Sequence, residues 1–276
     1  MTGATPIAGA KLRLAHVAKH FDVGGAKPTI AVDDFTLDIV QGEFLVIVGP
    51  SGCGKTTVLN ILAGLERPSA GSVTLDDREI TGPGPARGVM FQDYALFPWQ
   101  TVQGNVGFGL KYGPSGNGLS TDARARRVQD CIDLVGLNGA EDKYPHQLSG
   151  GMRQRAALAR LMANEPEVLL MDEPLAALDA QTRLILQDEL LRIWGQDRPA
   201  ARRRTVVFIT HAIDEAVFLA DRVAVMTTRP GRLKALIDVP LPRPRNDATR
   251  ASAEFQALSQ HIWSLIRDEA YRATVT

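Results

Sequence analysis

The chain has 276 residues, of which 45% are apolar and 22% charged, enough to bury a full core as one large domain or two smaller ones. Thirty-one basic residues balance thirty-one acidic ones, which argues against a dedicated nucleic-acid binder with its usual basic excess. Two cysteines, Cys53 and Cys131, form neither a disulfide framework nor a ligand spacing; with no leader pattern and no apolar run near the roughly eighteen residues of a membrane span, a soluble protein of a reducing compartment is expected.

Residues 12–17 and 35–40 read as strands, the second with Phe35, Leu37 and Ile39 on one face. Residues 44–48 are apolar without a break, the mark of a strand buried on both sides. Val58, Leu59, Ile61, Leu62 and Leu65 then follow helical spacing, and residues 72–75 form a strand ending in a turn at Asp76 and Asp77. Residues 113–118, with three glycines and a proline, are expected to be a flexible surface loop. A helix over 121–135 turns Val128, Cys131, Ile132 and Val135 inward, and a second covers 152–163. Buried strands at 167–171, 205–210 and 223–226 alternate with helices at 180–194, ending at Gly195, and at 213–220. Pro240, Pro242 and Pro244 hold residues 239–245 extended, and Phe255, Leu258, Ile262 and Ile266 mark one amphipathic helix that docks on the core. The run Arg202, Arg203 and Arg204 reads as a solvated loop face. Strands alternating with helices imply an α/β protein with a mostly parallel sheet, and residues from about 93 to 164 contain no good strand, so they read as a helical insert.

Gly49-Pro50-Ser51-Gly52-Cys53-Gly54-Lys55-Thr56, followed by Thr57, lies between a buried strand and a helix, as a phosphate-binding P-loop does. Glycines let backbone N–H groups turn toward phosphate oxygens, and the helix dipole points its positive end there. Lys55 supplies a full charge for the β- and γ-phosphates and Thr56 a hydroxyl for Mg²⁺. Asp172 and Glu173 close the apolar run 168–171, at the strand end where α/β sheets bind ligands. Asp172 suits Mg²⁺ through its water shell, and Glu173 suits polarisation of the attacking water. His211, between a strand and a helix, is a candidate γ-phosphate contact. Gln92 carries an amide that could meet both Mg²⁺ and that water. Phe21 is either a stacking platform for a base or part of the core.

Ser149, Gly150 and Gly151 form a second glycine turn that opens a helix, with Ser149 as N-cap. Arg153 and Arg155 load the first turns of that helix with positive charge, which suits an anion better than it suits the helix. One site needs one P-loop, so the second turn suggests an active site completed by another copy of the chain.

These residues, in this order, resemble the ATP-binding subunits of ABC transporters over about residues 11–240. Residues 49–56 look like the Walker A loop, Phe91-Gln92 like the Q-loop, residues 148–151 like the signature motif and 168–173 like Walker B with its glutamate. Ala176 to Asp179 is similar to the D-loop, Thr210-His211 to the switch histidine, and Phe21 falls where the family keeps an adenine-stacking aromatic. The resemblance implies a P-loop NTPase (RecA-like) core with an N-terminal antiparallel β subdomain and an inserted α-helical subdomain. It implies ATP and Mg²⁺ as ligands, Lys55, Gln92, Glu173 and His211 in hydrolysis, and Asp179 among the nucleotide contacts. A head-to-tail homodimer is implied, bound to integral membrane permease subunits at the cytoplasmic face and served indirectly by a solute-binding protein. Residues 81–88 and 96–99, with the short tail 241–276, look like importers of nitrate, sulfonates, taurine and related small anions. An importer of another small solute, or a non-transport ATPase of the family, are the alternatives. Met152 and Ala176 depart from the commoner family residues, which are Gln after the signature and Ser or Gly at the head of the D-loop.

Overall fold

A computed structural model describes residues 9–22 and 28–275, with the side chains of 268 and 270–275 excepted. Two sheets and eight α-helices make up the described chain. The smaller sheet is antiparallel, in the order β2-β1-β4-β5, with β1 Ala10–Phe21, β2 Thr29–Val40, β4 Ala70–Leu75 and β5 Arg78–Glu79. The larger runs β10-β9-β3-β8-β7-β6: β3 Phe44–Val48, β6 Arg87–Met90, β7 Val168–Asp172, β8 Thr205–Ile209 and β9 Arg222–Met226 are parallel, and β10 Leu233–Asp238 closes one edge antiparallel.

The uninterrupted apolar strands follow from burial on two faces. Phe44, Val46 and Val48 of β3 join one core with Val206 and Phe208 of β8, while Leu45 and Ile47 join the other with Val207 and Ile209. The second core lies under α1 Lys55–Ala63 and the antiparallel sheet. The first is covered by α2 Val102–Tyr112, α3 Thr121–Leu134, α4 Gly150–Ala163, α5 Ala180–Trp194, α6 Ile213–Leu219 and α8 Ala253–Val275. A one-turn helix, α7 Asp247–Arg250, leads into α8. Burying a Leu- or Phe-sized side chain contributes about 1.5–3 kcal/mol, so alternation over four such strands fixes the sheet between its two layers.

Several expectations change. Leu65 lies beyond the end of α1 and is 48% exposed; Gly64, left-handed at φ 77, stops the helix first. Residues 113–118 are not a free loop: Gly116 is buried in a short 3-10 turn, and a Cβ there would lie 1.7 Å from the Leu110 carbonyl oxygen. Of the three arginines, Arg203 is fastened to the carbonyls of Arg198 and Gln196 and lies 4.6 Å from the Trp194 ring, while Arg204 is half-buried.

Candidate nucleotide-binding and hydrolysis site

Strand β3 stops at Val48 and α1 starts at Lys55, so residues 49–54 form the turn between them. Gly52 and Gly54 are left-handed, φ 74 and 97, values that side chains resist. A Cβ on Gly54 would stand 2.7 Å from the Ala31 carbonyl oxygen, because β2 packs against the loop. Lys55 is buried, and its Nζ donates to the carbonyls of Gly49 at 2.9 Å and Pro50 at 3.0 Å. Phosphate oxygens entering the loop would draw on those same N–H bonds. Ser51, Gly52 and Thr56 are exposed, and Pro50 and Thr57 half-exposed. Cys53 differs from its neighbours: its side chain is 1% exposed and belongs to the core beneath the loop. Burial raises its thiol pKa, and Lys55 partly opposes this. Cys53 therefore has only its backbone to offer a ligand.

Asp172 ends β7 and is 8% exposed. Burial raises its carboxyl pKa, while the hydrogen bond from the Thr56 hydroxyl pulls it back down. Among the described residues no three His, Cys, Asp or Glu side chains gather as a metal cage. One hydroxyl beside one carboxylate is the sparse hard-oxygen set that suits Mg²⁺ bound jointly with substrate phosphates. Glu173 is left-handed at φ 44, held by its N–H donating to the Ile209 carbonyl at 3.0 Å. Its Oε2 lies 3.2 Å from His211 Nδ1. The ladder aligns Asp172 with Ile209, which brings residues 173 and 211 to one edge.

Gln92 sits two residues beyond Met90, which pairs with Met171, so it lies at that same edge; it is exposed, and its amide makes no hydrogen bond among the described residues. The chain turns after it through left-handed Tyr94 and Ala95, whose carbonyls accept from Arg160 at 2.8 and 2.6 Å. Phe21 is 38% exposed at the end of β1, with Lys19 Nζ 5.0 Å from its ring, so it is not a core residue.

Ser149 Oγ accepts from the Met152 N–H at 3.3 Å, which caps α4 and leaves Gly150 and Gly151 in its first turn. Arg153 donates to the Leu148 carbonyl at 3.3 Å. Arg155 does not serve an anion: it pairs with Glu189 at 2.9 Å and donates to the Val135 carbonyl. Asp179 caps α5 by accepting from the Thr182 N–H at 2.9 Å, and these bonds hold its carboxyl below the ordinary range. A Cβ on Gly151 would lie 3.1 Å from Thr182, so the glycine turn and the Asp179 segment are neighbours. Among the described residues no hydrogen bond or ion pair joins residues 149–151 to residues 49–57 of the same chain.

A family model described as ABC transporter matches residues 32–176, and an uncharacterized ABC transporter ATP-binding protein of Methanocaldococcus jannaschii is 49% identical over 263 residues, 95% of this chain and 94% of that protein. The chain belongs to the ABC transporter ATP-binding family. It has the family's fold and is an ATPase. Within the family it is similar to the aliphatic sulfonates import ATP-binding protein of Bacillus licheniformis, 45% identical over 88% of this chain and 89% of that one. It is also similar to the nitrate import ATP-binding protein of Synechococcus elongatus, 46% identical over 82% of each. A solved structure of an ATP-binding cassette, a dimer in a post-hydrolysis state with ADP and Pi, aligns with TM-score 0.71 and 30% identity over 83% of this chain and 98% of that one.

Family membership does not reveal one contact that the fold makes plain. The turn between β9 and β10 docks on the P-loop. Gly231 N donates to the Ala31 carbonyl, Asp33 N donates to the Gly231 carbonyl, and a Cβ on Gly231 would lie 2.0 Å from the Cys53 carbonyl oxygen. Thr227 closes the turn by donating to Pro230 O, Arg232 pairs with Asp33, and Glu269 of α8 accepts from Thr228 N and Lys234 Nζ. The sequence signal was the dipeptide Pro230-Gly231, a turn marker, but nothing local says what the turn touches.

Proposed function

We propose that this ATPase drives an importer of a small anion such as nitrate, a sulfonate or taurine. The observation that carries the hydrolytic part is the Glu173–His211 contact at 3.2 Å, one residue beyond the Thr56–Asp172 pair. Glu173, partly shielded by the strained turn, accepts a proton from the attacking water, and His211 holds that carboxylate in place beside the γ-phosphate. Lys55 and the backbone of residues 49–54 bind the phosphates. Thr56 and Asp172 would hold Mg²⁺, with Gln92 reaching it from the neighbouring strand; the ion, when bound, neutralises phosphate charge. Phe21 stacks on the base.

Two chains in head-to-tail C2 arrangement give two equal sites, each with residues 49–57 of one copy facing Ser149, Gly150 and Gly151 of the other. Asp179 follows the glycine turn into that interface. The dimeric state of the ADP- and Pi-bound relative supports this reading. Shifting such a pair from 1:99 to 99:1 closed needs about 5.5 kcal/mol of differential binding, within reach of two polyanion clamps.

No helix of the described residues is long and apolar enough to cross a membrane. The import ATP-binding proteins among the relatives support work from the cytoplasmic face on a separate permease. An apolar groove lined by Val89, Phe91, Phe97, Phe108, Arg160 and Leu161, between the core and the helical region, receives a permease segment. The sulfonate and nitrate importers among the relatives favour import over export, with a solute-binding protein as a further, indirect partner. An importer of another small solute remains the second reading on the same grounds. The test is uptake of labelled nitrate and alkanesulfonates by cells carrying the intact chain or Glu173→Gln. Loss of uptake of one anion class supports the proposal, and unchanged uptake of all of them overturns the anion assignment.

A further inference from the structure

A cleft of about 660 Å³ opens between α5, α6 and the C-terminal segment, with His211 in its wall. Along that wall runs a string of hydrogen bonds through Arg250, Gln187 and Glu215. Arg250 Nη2, at the end of α7, donates to Gln187 Oε1 at 3.0 Å. Gln187 Nε2 donates to Glu215 Oε1 at 3.3 Å. The Thr210 hydroxyl also donates to Glu215, and it accepts from the Ala212 N–H at 3.0 Å. Thr210 and Ala212 are the two residues that flank His211.

This string has one polarity. Arg offers only donors, so the Gln187 amide must turn its oxygen to Arg250, which leaves its nitrogen for Glu215. Thr210, Gln187 and Glu215 are 3%, 4% and 4% exposed, so water does not substitute for a lost link. Arg250 itself is fixed: it donates twice to Asp188 Oδ1, and its guanidinium carbon lies 3.3 Å from the Phe218 ring centroid. Docking of the C-terminal helix needs none of this, because Phe255 and Ile262 already bury its apolar face.

We propose that Arg250 and Glu215 are positioning residues for His211, through which the C-terminal segment sets the distance between the imidazole and Glu173. The proposal rests on the reading of Glu173 and His211 as the hydrolytic pair.

The test uses the full chain and steady-state ATP hydrolysis, with Arg250→Ala, Arg250→Lys and Glu215→Gln each made alone and in a His211→Ala background. Loss of one buried hydrogen-bond link is expected to lower kcat about three- to tenfold with KM nearly unchanged; the thermal midpoint falls equally with and without His211, so the kcat difference between the two backgrounds is the readout. Arg250→Lys should fall between Ala and the parent, because it keeps the charge but not the planar fork. In the His211→Ala background the same changes should cost nothing further, since residues acting through one group are not additive. Parental kcat in Arg250→Ala and Glu215→Gln overturns the proposal, as does an equal loss with and without His211. Should Arg250→Ala fail to fold, Arg250→Lys and Glu215→Gln decide the matter. Parental hydrolysis by His211→Ala alone would instead remove the hydrolytic reading, and the proposal with it.

Discussion

Replacing Glu173 by Gln changes a charge and almost nothing else. The backbone at 173 is left-handed, φ 44, and is held by its N–H on Ile209 O, a bond the substitution leaves intact. Gln and Glu have the same length and branching, so the 3.2 Å contact with His211 can persist with the amide oxygen as acceptor. What disappears is the ability to take a proton from water. General-base assistance is worth about 10²–10⁴ in rate, or about 3–5 kcal/mol in the barrier. The expected result is a kcat for phosphate release reduced by that factor, with ATP affinity close to the parent's. Lost hydrolysis without lost binding should also leave an ATP-bound dimer that persists in size-exclusion chromatography. A kcat within threefold of the parent would refute the assignment of Glu173.

Four further outcomes follow from named contacts. Lys55→Ala removes the buried ammonium of the loop and should abolish detectable ATP binding, measured by equilibrium dialysis; unchanged affinity would count against the loop. Ser149→Arg should leave ATP binding to the single chain intact and eliminate the concentration-dependent part of hydrolysis; normal dimer turnover would sink the shared site. Gly231→Ala places a Cβ about where the Cys53 carbonyl stands, 2.0 Å away, so the P-loop must move; a fall in ATP affinity of tenfold or more is expected, roughly the 1–3 kcal/mol of an overpacked contact. Both thiols should react slowly with a thiol reagent at neutral pH and both should react after denaturation, because burial raises Cys53 and pushes Cys131 up to about 11. The sign for stability follows: below the ordinary thiol value near 9.0 Cys131 contributes no pH dependence, and from there to about 11 the unfolded chain ionises first and stability falls.

The parts of the molecule that could be read in the sequence are those whose environment is set locally or by symmetric burial. The strand at 44–48 and the helix at 180–194 with its glycine stop follow from pattern alone, as does the inward face of Val128, Cys131 and Ile132. Helix α2 was hidden because Gly104, Gly107 and Gly109 look like loop residues; they are there because neighbours come close, as a Cβ on Gly109 would lie 2.1 Å from Asn164 Oδ1. Strand β10 was hidden because an edge strand is half-exposed along its length and shows no continuous apolar run. At the site, the placement of Lys55 and Thr56 at a helix start and of Asp172 and Glu173 at a strand end was legible from their order. The inward turn of Cys53, the pairing of Arg155 with Glu189 and the grip of Gly231 on the P-loop were not. Each depends on a partner brought up by long-range topology: Glu189 stands 34 residues from Arg155.

One row of the sheet has a consequence for how faults propagate. Ile47, Ile209 and Asp172 stand side by side across β3, β8 and β7. The P-loop, the His211 turn and Glu173 all leave the sheet within two residues of that row. A slip of one residue in β8 would move His211 along the edge, and it would also carry Val206 and Phe208 into the layer that holds Val207 and Ile209. Misalignment of Glu173 and His211 is thus coupled to failure of two hydrophobic layers. A folded copy comes with the spacing of Glu173 and His211 already checked, and a copy with wrong spacing does not survive as a fold.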